Sequence, residues 1–219
     1  MGISENINKY KAELGDEVTL VAISKTKPAE DLLEAYNAGQ RVFGENKIQE
    51  MTEKWETLPK DIEWHMVGHV QTNKVKYMAP FVSLIHAVDS LKLLKEINKE
   101  AKKNDRKIAC LLQIKIAEED TKFGLDAEEA KELLTSEKFS ELKNIEVKGL
   151  MGMATYTEDE AVVRGEFDYL KSVYEDLKKN NPHFEILSMG MSGDYQVAME
   201  CGSNMVRIGS AIFGERNYN

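Results

Sequence analysis

Eight short apolar segments alternate with helical patterns along the whole chain. The apolar segments are rich in β-branched residues, as strands buried on both faces usually are. They lie at residues 18–23, 41–44, 62–67, 81–88, 107–116, 145–151, 184–189 and 205–208. The helical patterns lie at residues 3–14, 29–38, 45–58, 71–78, 90–103, 126–134, 158–180 and 194–201, and a last turn begins at 210–213. This alternation predicts a parallel sheet covered by helices.

Eight strands, each followed by a helical pattern, favour closure of the sheet into a barrel. We therefore predict an α/β protein, a single (β/α)₈ TIM-type barrel over residues 1–219 with an extra N-terminal helix. The alternative is an open, doubly wound sheet. At the local level, Ser4 and Asp126 are expected to cap their helices. Gly149 is expected to interrupt the sixth strand, because glycine weakens strand interiors.

Composition and charge argue against several classes of partner. The 219 residues include 29 basic and 38 acidic side chains, so the net charge is −9. This balance argues against nucleic acid and against an anionic membrane as the main partner. No apolar run approaches the roughly 20 residues of a membrane span, and no signal peptide is visible. Cys110 and Cys201 lie in apolar segments, so we expect reduced, structural cysteines and a cytoplasmic protein. No metal-ligand spacing appears.

Lys25 follows the first predicted strand directly, within Ser24–Lys27. A lysine where a buried strand meets a loop can be partly desolvated, and desolvation favours the neutral, nucleophilic amine. The alternative is a lysine that reaches water or pairs with one of the many carboxylates. Lys27 precedes Pro28 and should be more solvated than Lys25. Lys25 is therefore either a candidate nucleophile or an ordinary solvated or ion-paired lysine.

The segments after the seventh and eighth strands share a composition. In each, glycine and a serine precede a helix: Ser192 and Gly193 follow the seventh strand, and Arg207, Gly209 and Ser210 end and follow the eighth. Backbone N–H groups of such loops bind anions, and barrels commonly bind phosphate after these two strands. Turn glycines and capping serines would look the same. A lysine beside a phosphate site suits pyridoxal 5′-phosphate (PLP) or a sugar-phosphate aldolase.

Other polar residues lie at strand ends. Asn46 follows the second strand, and His65 lies within the third, where we expect a hydrogen-bonded core histidine. Met191 belongs to a group of methionines near the strand ends, which we interpret as packing beside the site. His86 and His183 have no partner in the sequence.

Seven motifs in this order resemble one family. They are AISKTKP (22–28), FGEN (43–46), WHMVGHVQTNK (64–74), KFG (122–124), KGLM (148–151), LSMGMSGD (187–194) and VRIGSAIFG (206–214). Together they resemble the pyridoxal phosphate homeostasis protein (YggS/PROSC-like) family. That family is similar in fold to the N-terminal barrel of alanine racemase but lacks its second domain.

The resemblance implies a PLP-binding barrel in which Lys25 forms a Schiff base with the cofactor. It places Asn46 near the ring and Arg207 at the pyridine nitrogen, and the phosphate on Ser192, Gly209 and Ser210. We also expect Met191 to contact the cofactor. The family implies a non-catalytic carrier or reservoir in vitamin B6 and amino-acid homeostasis, with apo PLP enzymes as partners. Because the second domain is missing, we expect a monomer. An amino-acid racemase or Schiff-base lyase is the alternative.

Overall fold

The structure is a computed structural model that describes residues 2–117 and 123–214. Its eight strands are all parallel and close into a barrel, because β1 pairs with β8 as well as with β2. The strands are β1 (Thr19–Ile23), β2 (Val42–Glu45), β3 (Glu63–Met66), β4 (Leu84–Val88), β5 (Ile108–Gln113), β6 (Ile145–Met151), β7 (Ile186–Met191) and β8 (Met205–Ile208). The predicted barrel is confirmed, and the open sheet is excluded.

Helices surround the barrel in the described part of the chain. They are α1 (Ile3–Leu14), α2 (Ala29–Asn37), α3 (Ile48–Thr57), α4 (Val75–Met78), α5 (Leu91–Lys103), α6 (Ala127–Thr135), α7 (Glu137–Ser140), α8 (Glu160–Lys178), α9 (Tyr195–Glu200) and α10 (Ser210–Phe213), with a 3₁₀ turn at Thr72–Lys74. The extra N-terminal helix, α1, buries Ile7, Tyr10 and Leu14 and packs on α2 and α10.

The hydrophobic core has two parts. The larger part packs the helices onto the outer faces of the strands. The smaller part consists of Val21, Leu84, Ala87, Leu111, Met151 and Met205, all from strands, which we place inside the barrel. Since alternate residues of a strand face opposite sides, Met205 and Arg207 on β8 share the inner face. On β4, Leu84 lies in the inner cluster and His86 contacts Ser188 across the interior, while the register shift between Ile85 and Val88 brings Ala87 to the same side. The inner faces thus carry both apolar and polar side chains.

Several local expectations are corrected. Ser4 is not a cap: α1 begins at Ile3 after Gly2, and the Ser4 N–H and hydroxyl donate to Glu34 instead. Asp126 does cap α6 by accepting the N–H of Glu129.

β6 continues through Gly149 without interruption, since the glycine takes a φ of +152° where the register with β5 shifts. The short helix α7 was not predicted from the sequence. Lys122 lies outside the described residues.

Candidate functional site

A cavity of about 410 Å³ opens at the carboxyl ends of β1, β7 and β8. Six of the seven candidate residues line it together: Lys25, Met191, Ser192, Arg207, Gly209 and Ser210. Asn46 follows β2 and is not among the residues that line this cavity; its backbone packs closely against Gly68. The volume lies within the range of about 300–1,000 Å³ that is usual for small-molecule sites. The barrel thus unites two distant loops and the lysine at one place.

Lys25 sits on a tight turn and not on an extended segment. The N–H of Lys27 donates to the carbonyl of Ser24 (3.1 Å), and Thr26 has a φ of +65°, as the third residue of a type II turn requires. Strand alternation therefore says nothing about where the two lysines point. Thr26 is held in this left-handed conformation although it is β-branched, and its N–H donates to Oε1 of Glu50 (2.6 Å).

A buried ion cluster lies beneath this turn. Nζ of Lys54 donates to the Ser24 carbonyl and to Oε1 of both Glu45 and Glu50, each at 2.7 Å. The Ser24 hydroxyl also donates to Oε1 of Glu45 (2.7 Å). Glu45 is fully buried; burial raises the pKa of its carboxyl, and the attraction of Lys54 only partly offsets this. The cluster fixes the backbone on both sides of Lys25.

Lys27 is held differently from the expectation. It is half-buried, as Lys25 is, so exposure does not separate the two lysines. Nζ of Lys27 donates to the carbonyl of Phe213 at the end of α10 (2.8 Å). Both lysines line the cavity, and this bond ties Lys27 to the loop after β8.

The loops after β7 and β8 meet at one corner of the cavity. The N–H of Gly209 donates to the Ser192 hydroxyl (3.4 Å), and a Cβ at Gly193 would meet nothing within 4 Å. Asp194 Oδ1 accepts the N–H of Met191 (2.5 Å). The two loops therefore bring backbone N–H groups, serine hydroxyls and the Asp194 carboxylate together at this corner, and loops of this kind are ones that bind anions through their N–H groups.

Arg207 reaches the cavity from inside the barrel. It is only 5 % exposed, and burial lowers the pKa of its guanidinium to about 10, with Asp194 acting in the opposite direction. One terminal nitrogen donates to the carbonyl and the hydroxyl of Ser188 (3.0 and 2.7 Å), and the other to the carbonyl of Gly152 (2.9 Å). These three acceptors are neutral dipoles, and the charge of Asp194 adds an attraction to the guanidinium.

The sequence did not indicate two parts of the site. Residues 154–157, after β6, line the cavity, with Thr155 held by two hydrogen bonds to Glu166 (2.6 and 2.7 Å) and Tyr156 98 % exposed. These residues follow β6, the neighbour of β7 in the barrel, and that position in the sequence could have indicated that they lie near the cavity. The second part is a pair of buried histidines. His65 is the hydrogen-bonded core histidine that was predicted, and its partner is His86 (Nδ1–Nε2 3.0 Å).

A second cavity, of about 440 Å³, lies beyond β3 and β4 and is lined by His69, Gln71 and Asp89, among others. His69 stacks on Phe123, and its Nδ1 lies 3.7 Å from Asp89 Oδ2. Neither Lys25 nor Arg207 lines this cavity. We therefore take the cavity at β1, β7 and β8 as the candidate site.

Three further findings concern residues 2–117 and 123–214. No cluster of three or more histidine, cysteine or acidic side chains is placed to hold a metal ion there. Among these residues, no helix has the length and apolar character needed to cross a membrane. Both cysteines, Cys110 and Cys201, are buried and unpaired with each other.

Comparison with known proteins gives the class first. The family described as alanine racemase, N-terminal domain, matches residues 2–217. Alanine racemase of Clostridium difficile 630 has the same fold with a TM-score of 0.79, at 16 % identity over all of this chain and 57 % of the racemase. This likeness shows a shared barrel.

Closer relatives then give the family. The pyridoxal phosphate homeostasis protein of Aquifex aeolicus (strain VF5) is 44 % identical over 201 residues, or 91 % of this chain and 87 % of the relative. The chain therefore belongs to the pyridoxal phosphate homeostasis protein family, as its motifs predicted. PipY of Synechococcus elongatus PCC7942, at 32 % identity, covers 97 % of this chain and all of its own. Its TM-scores are 0.91 without PLP and 0.87 with PLP bound.

Proposed function

We propose that this chain binds PLP in the cavity at β1, β7 and β8 and acts as a carrier or reservoir of the cofactor. The observation that carries the proposal is the convergence of Lys25, Arg207 and the two glycine-serine loops on one cavity. These groups fit PLP: an amine for its aldehyde, N–H and hydroxyl donors for its phosphate, and a cation for its ring. The PLP-bound structure of PipY supports the assignment.

Lys25 is the residue that would form the Schiff base, with loss of one water as the amine and the aldehyde condense. Lys25 matches the Schiff-base lysine that the family motifs imply, whereas Nζ of Lys27 donates to the Phe213 carbonyl. Borohydride reduction of the loaded protein, digestion and mass spectrometry test this. We expect the modification on Lys25 and its loss in Lys25→Ala, with Lys27→Ala as the matched control that keeps it. A modification on Lys27 of the unaltered protein would overturn the assignment.

The phosphate should contribute much of the affinity. Ser192, Gly209 and Ser210 lie at the corner of the cavity where the loops after β7 and β8 meet. A hydrogen bond to a charged group is worth about 1.5–3 kcal/mol. Each lost contact then weakens binding by about tenfold or more. We expect pyridoxal, which lacks the phosphate, to bind at least about a hundredfold more weakly than PLP. Equal dissociation constants for the two aldehydes would contradict the phosphate assignment.

The role without turnover rests on Arg207. PLP stabilises carbanions best when its ring nitrogen is protonated, and a guanidinium, which offers donors and no acceptor, disfavours that proton. The dipolar contacts of Arg207 to Ser188 and Gly152 hold it inside the barrel mouth, which supports the ring as its partner. Racemisation or decarboxylation of amino acids at about 1 s⁻¹ or faster, within the usual enzyme range, would overturn the carrier role.

Apo enzymes that use PLP would be the recipients, and the chain would act as a monomer in the cytoplasm, where buried thiols such as Cys110 stay reduced. Mixing the loaded protein with an apo PLP enzyme tests the transfer. We expect recovery of that enzyme's activity faster than from the same concentration of Lys25→Ala mixed with PLP. Sedimentation of the loaded protein tests the monomeric state.

A further inference from the structure

A chain of hydrogen bonds crosses the interior of the barrel. It runs from Arg207 on β8 to Ser188 on β7 (2.7 Å), from Ser188 Oγ to Nδ1 of His86 on β4 (3.1 Å), and from Nε2 of His86 to Nδ1 of His65 on β3 (3.0 Å). All four side chains are buried. β4 and β7 are not neighbours in the barrel, so the contact between His86 and Ser188 spans its interior.

Arg207 and the single hydroxyl proton of Ser188 together favour one direction for the bonds in this chain. A guanidinium only donates, so the Ser188 oxygen accepts from Arg207. Of the two side chains bonded to Ser188 Oγ, only His86 can accept its hydroxyl proton, so we place that proton on the bond to His86 Nδ1. A neutral histidine that accepts at Nδ1 carries its proton on Nε2, and His86 therefore donates to Nδ1 of His65. His65 in turn must carry its proton on Nε2.

The surroundings of the two rings agree with neutral histidines. Burial lowers the pKa of His65 to about 3. Burial also holds the pKa of His86 well below its ordinary value, with smaller effects from His65 and Arg207. A second cation beside a buried guanidinium would be repelled. The chain is thus a line of dipoles whose negative ends point at Arg207.

We propose that His86 and His65 are positioning residues that act through Ser188 to fix the orientation of Arg207 towards the cofactor ring. This inference rests on the proposed PLP-binding function. The lone pairs of Ser188 stabilise the guanidinium without neutralising its charge, whereas a buried carboxylate in the same position would neutralise it. The hydrogen bonds of Arg207 to Ser188 leave its positive charge in place for the ring nitrogen, and the histidines keep Ser188 turned so that its oxygen faces Arg207.

The tautomers can be measured without any cofactor. Long-range ¹H–¹⁵N correlation spectra of protein labelled in histidine show which ring nitrogen carries the proton. The His86→Leu variant and a His65→Leu variant assign the two signals. We expect the protonated nitrogen of both rings to be Nε2, which couples to both carbon-bound ring protons. A proton on Nδ1 of His86 would reverse the chain and refute the inference, whether or not PLP binds.

The effect on the site is tested in loaded protein. Ser188→Ala removes the link between His86 and Arg207, and His86→Leu removes the acceptor for the Ser188 proton. We expect each to shift the absorption maximum of bound PLP and its pH dependence, and to weaken PLP binding by about tenfold. His86→Asn, which returns an acceptor and a donor at the Nδ1 position, should restore the spectrum in part.

The matched control is Leu84→Val, which trims a side chain on the same face of the same strand, two residues from His86. It should leave the spectrum of bound PLP unchanged. Equal spectra in Ser188→Ala, His86→Leu and Leu84→Val would refute the positioning role. Failure of the unaltered protein to bind PLP would instead refute the proposed function, while the tautomer measurement would still stand by itself.

Discussion

Replacing Lys54 by methionine tests how the turn that carries Lys25 is held. Methionine keeps an unbranched stem of similar length and removes the ammonium. Three hydrogen bonds of 2.7 Å disappear, to the Ser24 carbonyl and to the carboxylates of Glu45 and Glu50. Glu45 then keeps a single donor, the Ser24 hydroxyl, while its Oε2 is buried without a hydrogen-bond partner.

The expected loss in unfolding free energy follows from that buried carboxylate. Removing one partner of a buried ion pair costs about 3–5 kcal/mol, a large share of the about 5–15 kcal/mol that stabilises a typical domain. The loss depends on pH, because burial already raises the pKa of Glu45 and Lys54 opposes that rise. Without Lys54 the pKa rises further. The deficit of the variant is therefore small below pH of about 4, where Glu45 is neutral in both states, and it grows as the pH rises.

Urea unfolding followed by circular dichroism, at pH 4 and at pH 7, measures this. Lys54→Met combined with Glu45→Gln should recover part of the loss at pH 7, since an amide carries no charge to bury. The control is Lys179→Met, which removes an exposed ion pair with Asp176 (3.1 Å) at the carboxyl end of α8 and should leave stability unchanged. A deficit for Lys54→Met below about 1 kcal/mol at pH 7, in the range of surface pairs, or a larger deficit at pH 4, would refute the reasoning.

Two further predictions concern packing and thiol reactivity. Gly149→Ala should lower the unfolding free energy by about 3 kcal/mol or more, because its Cβ would lie 1.8 Å from the backbone oxygen of Ile186 at a φ of +152°. The control is Gly165→Ala, in the exposed middle of α8 with open space around it. It should raise the unfolding free energy by about 0.5–1 kcal/mol. A stable Gly149→Ala would contradict this. Burial raises the pKa of the Cys110 thiol and raises that of Cys201 to about 11. A thiol reagent should therefore react with Cys110 only as the protein unfolds. Immediate reaction of Cys110 in the folded protein would contradict this prediction.

The sequence predicted those features of the fold that depend on short-range patterns. Strand and helix periodicity indicated all eight strands, and the glycine and serine residues after the last two strands indicated the two loops that meet at one corner of the cavity. These features follow from the order of residues along the chain. Predicted boundaries of helices and strands were wrong where a tertiary contact decided them. Glu45, which the sequence placed in a helix, belongs to β2, where its carboxylate forms an ion pair with Lys54.

Sequence patterns could not indicate contacts between distant strands. His86 and Ser188 are 102 positions apart, and only closure of the barrel makes them neighbours. Lys54 was missed for a related reason. The spacing of Ile48, Met51 and Trp55 is that of one apolar helix face. In the structure α3 buries Ile48 and Met51 together with Lys54. Trp55 is half-buried and stacks on Phe81. A buried lysine contradicts the usual pattern of exposed charge, and its carboxylate partners are what make it tolerable.

Two of the basic residues that line the cavity, Lys25 and Arg207, are therefore supported by two different networks. Lys25 lies on a turn fixed by charged groups, Lys54 with Glu45 and Glu50, whereas Arg207 donates its hydrogen bonds to neutral acceptors on Ser188 and Gly152. The first network can be weakened by pH and the second cannot, within the range where the histidines stay neutral. Lys54→Met should consequently change how readily the turn presents its amine, and Ser188→Ala should change the electronic environment of the ring. Because the networks share no described hydrogen bond, their effects on PLP affinity should add.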